Sequence, residues 1–104
     1  MREEQQRVGQ LIRSYGLGKS PEGRMLDLVS EVGELSKELL KASDYGNKPV
    51  AATHTMVEEL GDCLFSLLCL SEALKVDAEN AFNGVLEKYQ QRFAETGQIG
   101  HKTT

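Results

Sequence analysis

The chain has 104 residues, 39% hydrophobic and 27% charged, which suits one globular domain and argues against intrinsic disorder. Sixteen acidic against twelve basic side chains leave a net charge of −4 with no Lys/Arg-rich block, which excludes a nucleic acid polymer as the expected partner. No apolar run approaches the ~20 residues that span a bilayer, and the start Met1-Arg2-Glu3-Glu4-Gln5 lacks a signal-peptide core, so a cytoplasmic protein with no membrane partner is expected.

In chain order the periodicity predicts four helices and no strand. The first runs from Glu3 to Tyr15, with Val8, Leu11, Ile12 and Tyr15 at three-to-four spacing, and Gly16-Leu17-Gly18-Lys19 breaks it. The second opens with Ser20 as N-cap and Pro21 at the first helical position, carries the stripe Met25, Leu28, Val32, Leu35 and Leu39, and is expected to end at Gly46. After a connection over residues 44–52, a third helix is expected near Thr55, whose spacing to Glu58 fits a capping box. Its run through Leu60, Leu64, Leu67, Leu68 and Leu74 is apolar over much of the circumference, which marks the central helix. Asp77 is the expected cap of the fourth, with Ala81, Phe82, Val85, Tyr89 and Phe93 as its stripe, and Gly97 ends it. Residues 98–104 read as a flexible tail. Four helices with short connections predict an all-α, antiparallel four-helix bundle with its site between facing helices. Cys63 and Cys69 lie in an apolar segment without a CxxC, so they are expected to be thiols buried in the core.

One acidic pattern occurs twice: Glu31-Val32-Gly33-Glu34-Leu35 and Glu59-Leu60-Gly61-Asp62-Cys63. Three-residue spacing puts both acids of a copy on one helical face, about 5 to 6 Å apart at Cβ. A single such pair is ordinarily a solvated face. Here Glu31 lies one turn from both Leu28 and Leu35, and Asp62 adjoins the apolar run that begins at Cys63, so both acids border a buried stripe. Gly33 and Gly61 stand in helix interiors at a cost of ~1 kcal/mol each relative to alanine, which a close approach of two helix backbones would explain. Four carboxylates brought together repel one another unless a cation neutralises them, and an oxygen-only set suits Mg²⁺, with Mn²⁺ an alternative, over Zn²⁺ or copper. Neither His54 nor His101 follows a glutamate by three residues, which excludes the Glu-x-x-His motif of ferritin-type di-iron bundles. On the fourth helix Lys88 and Arg92 are one turn apart and can face an anion, although cations near a helix C-terminus are also favoured by the dipole. No P-loop motif is present.

The pieces Ser30-Glu31-Val32-Gly33-Glu34, Glu58-Glu59-Leu60-Gly61-Asp62 and Lys88-Tyr89-Gln90-Gln91-Arg92-Phe93 together resemble the MazG-like all-alpha nucleoside triphosphate pyrophosphohydrolases over most of the chain. The resemblance implies a single MazG-like domain over residues 1–97 that forms dimers or tetramers. It also implies Mg²⁺-dependent hydrolysis of (deoxy)nucleoside triphosphates to the monophosphate and pyrophosphate, as nucleotide-pool house-cleaning. By position it makes Glu31, Glu34, Glu59 and Asp62 the metal ligands, Glu34 or Glu59 the acceptor of the water's proton, and Lys88 and Arg92 the phosphate contacts. Two residues depart from the pattern: Ser30 stands where many members have a first glutamate, and Leu86 where some carry asparagine. Phosphoribosyl-ATP pyrophosphohydrolase and a non-catalytic helical interaction module are the competing readings.

Overall fold

In a computed structural model that describes residues 1–97, four helices follow one another: α1 (Arg2–Tyr15), α2 (Pro21–Ala42), α3 (His54–Ala73) and α4 (Ala78–Thr96). The expected class is correct; no strand occurs among the described residues. The C-terminal tail lies outside them.

Local chemistry sets most of the boundaries. The Ser20 hydroxyl accepts the Gly23 N–H at 3.1 Å while Pro21 takes a position where its missing donor does no harm. The Asp77 carboxylate accepts the Asn80 N–H at 3.2 Å and starts α4. Two expected boundaries move. Helix α3 begins at His54 because Thr53, in extended conformation, accepts the Met56 N–H at 3.2 Å. Glu58, expected in a capping box with Thr55, instead receives the His54 Nε2 at 2.7 Å, one turn along the exposed face. Helix α2 stops at Ala42, before the expected Gly46, because the Ser43 hydroxyl donates to the Leu40 carbonyl at 3.3 Å and accepts the Gly46 N–H at 3.0 Å. That side chain replaces helical backbone bonds and turns the chain through Asp44, Tyr45 and Gly46, all at positive φ.

Helices α2 and α3 pack along most of their lengths and α1 lies on α3, so α3 is central, as its apolar circumference predicts. The buried apolar core is small: Val8, Leu68 and Cys69, with Ile12 and Ala78 against them. Cys69 is thus a core thiol as expected, whereas Cys63 is half-buried; both are free.

Helix α4 packs to any extent only against α1. Its first turn is held by two α1 side chains. The buried Gln5 donates to the Val76 carbonyl at 2.8 Å and accepts the Ala78 N–H at 2.9 Å, bridging the α3–α4 corner. Arg2 fans its guanidinium onto Asp77 at 2.8 Å, Glu79 at 2.7 Å and Asn80 at 2.5 Å. Beyond that turn no residue of α4 is buried. The radius of gyration is 16.8 Å, against about 13 Å for a compact domain of this length, so a single chain does not close the bundle around a common core.

Candidate metal centre

The α2–α3 pairing places carboxylates from both helices at one point. Glu31 on α2, and Glu59 and Asp62 on α3, each offer an oxygen, all within 4.8 Å of one another. Glu31 and Glu59 are half-buried while Asp62, expected at the rim of the buried stripe, is exposed; Glu31 lies one turn from both Leu28 and Leu35. The half-buried Glu59 has its carboxyl pushed up. Desolvation leads, followed by the negative charges of Asp62, Glu31, Glu34 and Glu38. The leading charges acting on Glu59 are all negative.

This electrostatic frustration is what a bound cation relieves. Three convergent carboxylates, each able to give one oxygen at the mouth of a helix pair, fit a hard, oxygen-loving divalent ion that retains several waters. The neighbouring Cys63 thiol is pushed up by burial and then by Glu31, Glu59 and Asp62, which keeps it protonated and a poor soft-metal ligand. The donor set is therefore oxygen-only at neutral pH.

The remaining expected site residues fall elsewhere. Glu34 is exposed and contributes its charge to Glu59 without joining the converging three. Lys88 lies over the Tyr89 ring on its own helix, 5.5 Å from the centroid. Arg92 is on the same helix, where its carbonyl accepts the Thr96 hydroxyl at 2.6 Å. Because α4 is not packed along α2 or α3, one chain does not gather Lys88 and Arg92 with the acids. The expectation for Gly33 and Gly61 is overturned: an added Cβ at either would meet nothing within 4 Å, so no helix of the same chain approaches closely there. Sequence reading missed Glu38, which adds to the field on Glu59. Its signal was present, since Glu38 follows Glu31 by seven residues, two turns along the same face.

An all-α fold with three carboxylates converging between two helices defines a helical protein with a candidate oxygen-only cation site. The comparisons with known proteins narrow it. Residues 19–96 match the model of the MazG nucleotide pyrophosphohydrolase domain. The Bacillus subtilis protein YpjD is 39% identical over 88 residues, 82% of this chain and 75% of that protein. A solved structure of YpjD superposes with a TM-score of 0.73 at 38% identity, covering 88% of this chain and 94% of that one. The nucleoside triphosphate pyrophosphohydrolase/pyrophosphatase MazG of Thermotoga maritima is 33% identical over 84 residues, 81% of this chain and 28% of that longer protein. The chain belongs to the MazG nucleotide pyrophosphohydrolase family. Among the described residues no helix is long and apolar enough to cross a membrane.

Proposed function

We propose that this protein hydrolyses (deoxy)nucleoside triphosphates to the nucleoside monophosphate and pyrophosphate with Mg²⁺, Mn²⁺ being the alternative ion, in the service of nucleotide-pool house-cleaning in the cytoplasm. The observation that carries the reading is the convergence of Glu31, Glu59 and Asp62 within 4.8 Å on facing helices, in a chain of the MazG family. A pyrophosphohydrolase named as such in Thermotoga maritima adds support for the triphosphate as substrate.

In this reading Glu31, Glu59 and Asp62 hold the ion, with Glu34 at the edge of the set. The ion would supply charge neutralisation for the triphosphate and a bound water of lowered pKa. Glu34 or Glu59, whichever is less engaged as ligand, accepts the proton of the attacking water. Lys88 and Arg92 contact the phosphates, and a homo-oligomer, dimer or tetramer, is the working unit. Residues 1–97 act as one domain.

The test is a panel of canonical and modified nucleoside triphosphates, with phosphoribosyl-ATP, assayed with and without Mg²⁺, separating pyrophosphate from orthophosphate. Mg²⁺-dependent pyrophosphate release that disappears in Glu59→Gln is the expected result. Turnover of phosphoribosyl-ATP alone would move the substrate class. No turnover of anything, with no Mg²⁺-dependent thermal shift, would leave the non-catalytic interaction module.

A further inference from the structure

The one buried residue of α2 is a cation: Arg24, 7% exposed, sits where α1, the α1–α2 connection and α3 meet. Its Nη2 donates to the Leu17 carbonyl, which ties down the connection before Ser20. That bond occupies one nitrogen. Nη1 stays 4.0 Å from Asp27 Oδ2, outside hydrogen-bonding range, and among the described residues no acceptor meets Nε. A guanidinium carries five N–H donors, and taking it out of water without acceptors is costly. A loop staple explains Nη2 alone.

Beside Arg24 lies a cavity of about 160 Å³, lined also by Gly9 and Arg13 of α1, Lys19 of the connection and Glu72 of α3. Its charges do not balance within the chain. Lys19 pairs with Asp27 at 2.9 Å, so that single carboxylate serves both Lys19 and Arg24. Arg13 and the half-buried Glu72 crowd the same point above Gly9, where a Cβ would stand 3.2 Å from Arg13 Nη1 and 2.9 Å from Glu72 Oε2, yet neither forms an ion pair among the described residues. Three cations therefore face two carboxylates, in a chain whose net charge is −4. The volume equals about five molecules of liquid water at ~30 Å³ each and falls below the ~300 Å³ at which drug-sized ligand pockets begin, so a compact ion fits and a nucleotide does not.

We infer that this cavity binds a small phosphate oxyanion that still carries a proton, hydrogen phosphate or hydrogen pyrophosphate: Arg24 Nε and Nη1, with Lys19 and Arg13, take its charged oxygens, and Glu72 accepts the bond from its P–OH group. Arginine suits the role because its fork meets two oxygens of one phosphate. Glu72 supplies the discrimination. A carboxylate that can only accept repels any oxyanion with no hydrogen to give, and at neutral pH sulfate has none whereas phosphate keeps one. The site is separate from the acids that converge for a metal, since Arg24 precedes Glu31 by about two turns of α2 and Glu72 follows Asp62 by nearly three turns of α3. A bound ion joins α1, the connection, α2 and α3 at that end of the molecule.

The test is isothermal titration calorimetry of the full chain in chelator-treated, metal-free buffer at neutral pH, with inorganic phosphate, pyrophosphate and sulfate as probes. Phosphate or pyrophosphate is expected to bind at one site per chain, and the tighter of the two names the source. Sulfate is expected to bind roughly tenfold to a hundredfold more weakly. Glu72→Gln should admit sulfate, because an amide N–H donates where the carboxylate only accepts. Lys19→Ala, on the exposed rim, should weaken phosphate severalfold, and Arg24→Lys, which keeps the charge and loses the fork, should abolish binding. Helicity of each variant is checked by circular dichroism, and if Arg24→Lys unfolds, the Glu72 and Lys19 variants carry the decision. In the wild type the Arg24 Nε–H resonance should move on addition of phosphate. Sulfate bound as tightly as phosphate overturns the inference. So does the absence of binding by all three probes, or binding that Glu59→Gln abolishes and Lys19→Ala spares. Because neither metal nor triphosphate is present, absence of hydrolysis leaves this result intact, and a hydrolase that binds no phosphate here overturns only the oxyanion site.

Discussion

Glu59 concentrates the chemistry of the site in one side chain. Its carboxyl is raised by desolvation and by Asp62, Glu31, Glu34 and Glu38, so between the unfolded and the raised folded value the folded chain binds a proton there more tightly than the unfolded chain does. The sign follows: the contribution of Glu59 to stability is full below the ordinary glutamate pKa and is lost as pH rises through its raised value. Metal-free wild type is therefore expected to lose melting temperature relative to Glu59→Gln as pH climbs above the ordinary glutamate value of about 4.3. Parallel pH profiles for the two proteins would remove Glu59 from the repelling cluster. At neutral pH, Mg²⁺ should raise the wild-type melting temperature and leave Glu59→Gln unmoved. Loss of a proton-accepting or ligating carboxylate is also expected to reduce hydrolysis by ~10² or more. At this scale the sequence was informative about residue type and spacing. Which acids converge was not legible, since Glu34 and Glu59 have equal claims by motif, and only the rotation of α2 about its axis puts Glu31 at the focus and Glu34 beside it.

At the scale of the elements, caps decide where helices begin, and three of the four N-caps are side-chain oxygens. Ser20 and Asp77 were legible because each directly precedes a run of helical periodicity. Thr53 was not, because Thr55 followed by Glu58 imitates a capping box two residues downstream. Substitution separates the two: Thr53→Ala should cost ~1 kcal/mol in denaturant unfolding, and Thr55→Ala close to nothing. The α3–α4 corner rests on Gln5, whose amide serves one carbonyl and one N–H at once. Gln5→Ala leaves two backbone groups without that partner and is expected to lower stability by ~1–3 kcal/mol in the same assay. The Asp77 carboxyl is held below the usual range, first by its bond from Arg2 and then by the Asn80 N–H. Its stabilisation is present above the unfolded pKa and is lost as pH falls through the depressed folded value. The anchor of α4 should thus loosen on the acid side, opposite in direction to the effect at Glu59. Hydrogen-exchange protection factors of the α4 amides, corrected for the intrinsic pH dependence of exchange, are expected to be higher at neutral pH than in acid and read that change.

Taken as a whole molecule, one chain is under-packed. Val8, Met56, Leu68 and Cys69 are its buried hydrophobic side chains among the described residues, while Leu26, Leu60, Tyr15 and Phe93 stand 60% or more exposed. A core this small cannot tolerate a cavity: Leu68→Ala is expected to cost ~2–5 kcal/mol and to bring the chain close to unfolding at ambient temperature. If the exposed faces are covered by a second copy, association stabilises the folded state by mass action, and the melting temperature should rise with protein concentration. A melting temperature constant over a hundredfold range of concentration would show that the faces are borne by an isolated chain.

The amino-acid order alone determined the number and class of the elements, two of the three side-chain N-caps, the α3 helix as the centre, and the doubled acidic pattern. These depend on periodicity and on contacts within four residues, which the order of side chains specifies directly. The tertiary structure decided which three acids meet, that Gly33 and Gly61 face open space, and that α4 leaves its chain's core with its apolar stripe uncovered. Those outcomes depend on how helices rotate and cross, and an amphipathic stripe such as Phe82 to Phe93 states only that something apolar must cover it, without saying which chain supplies the cover.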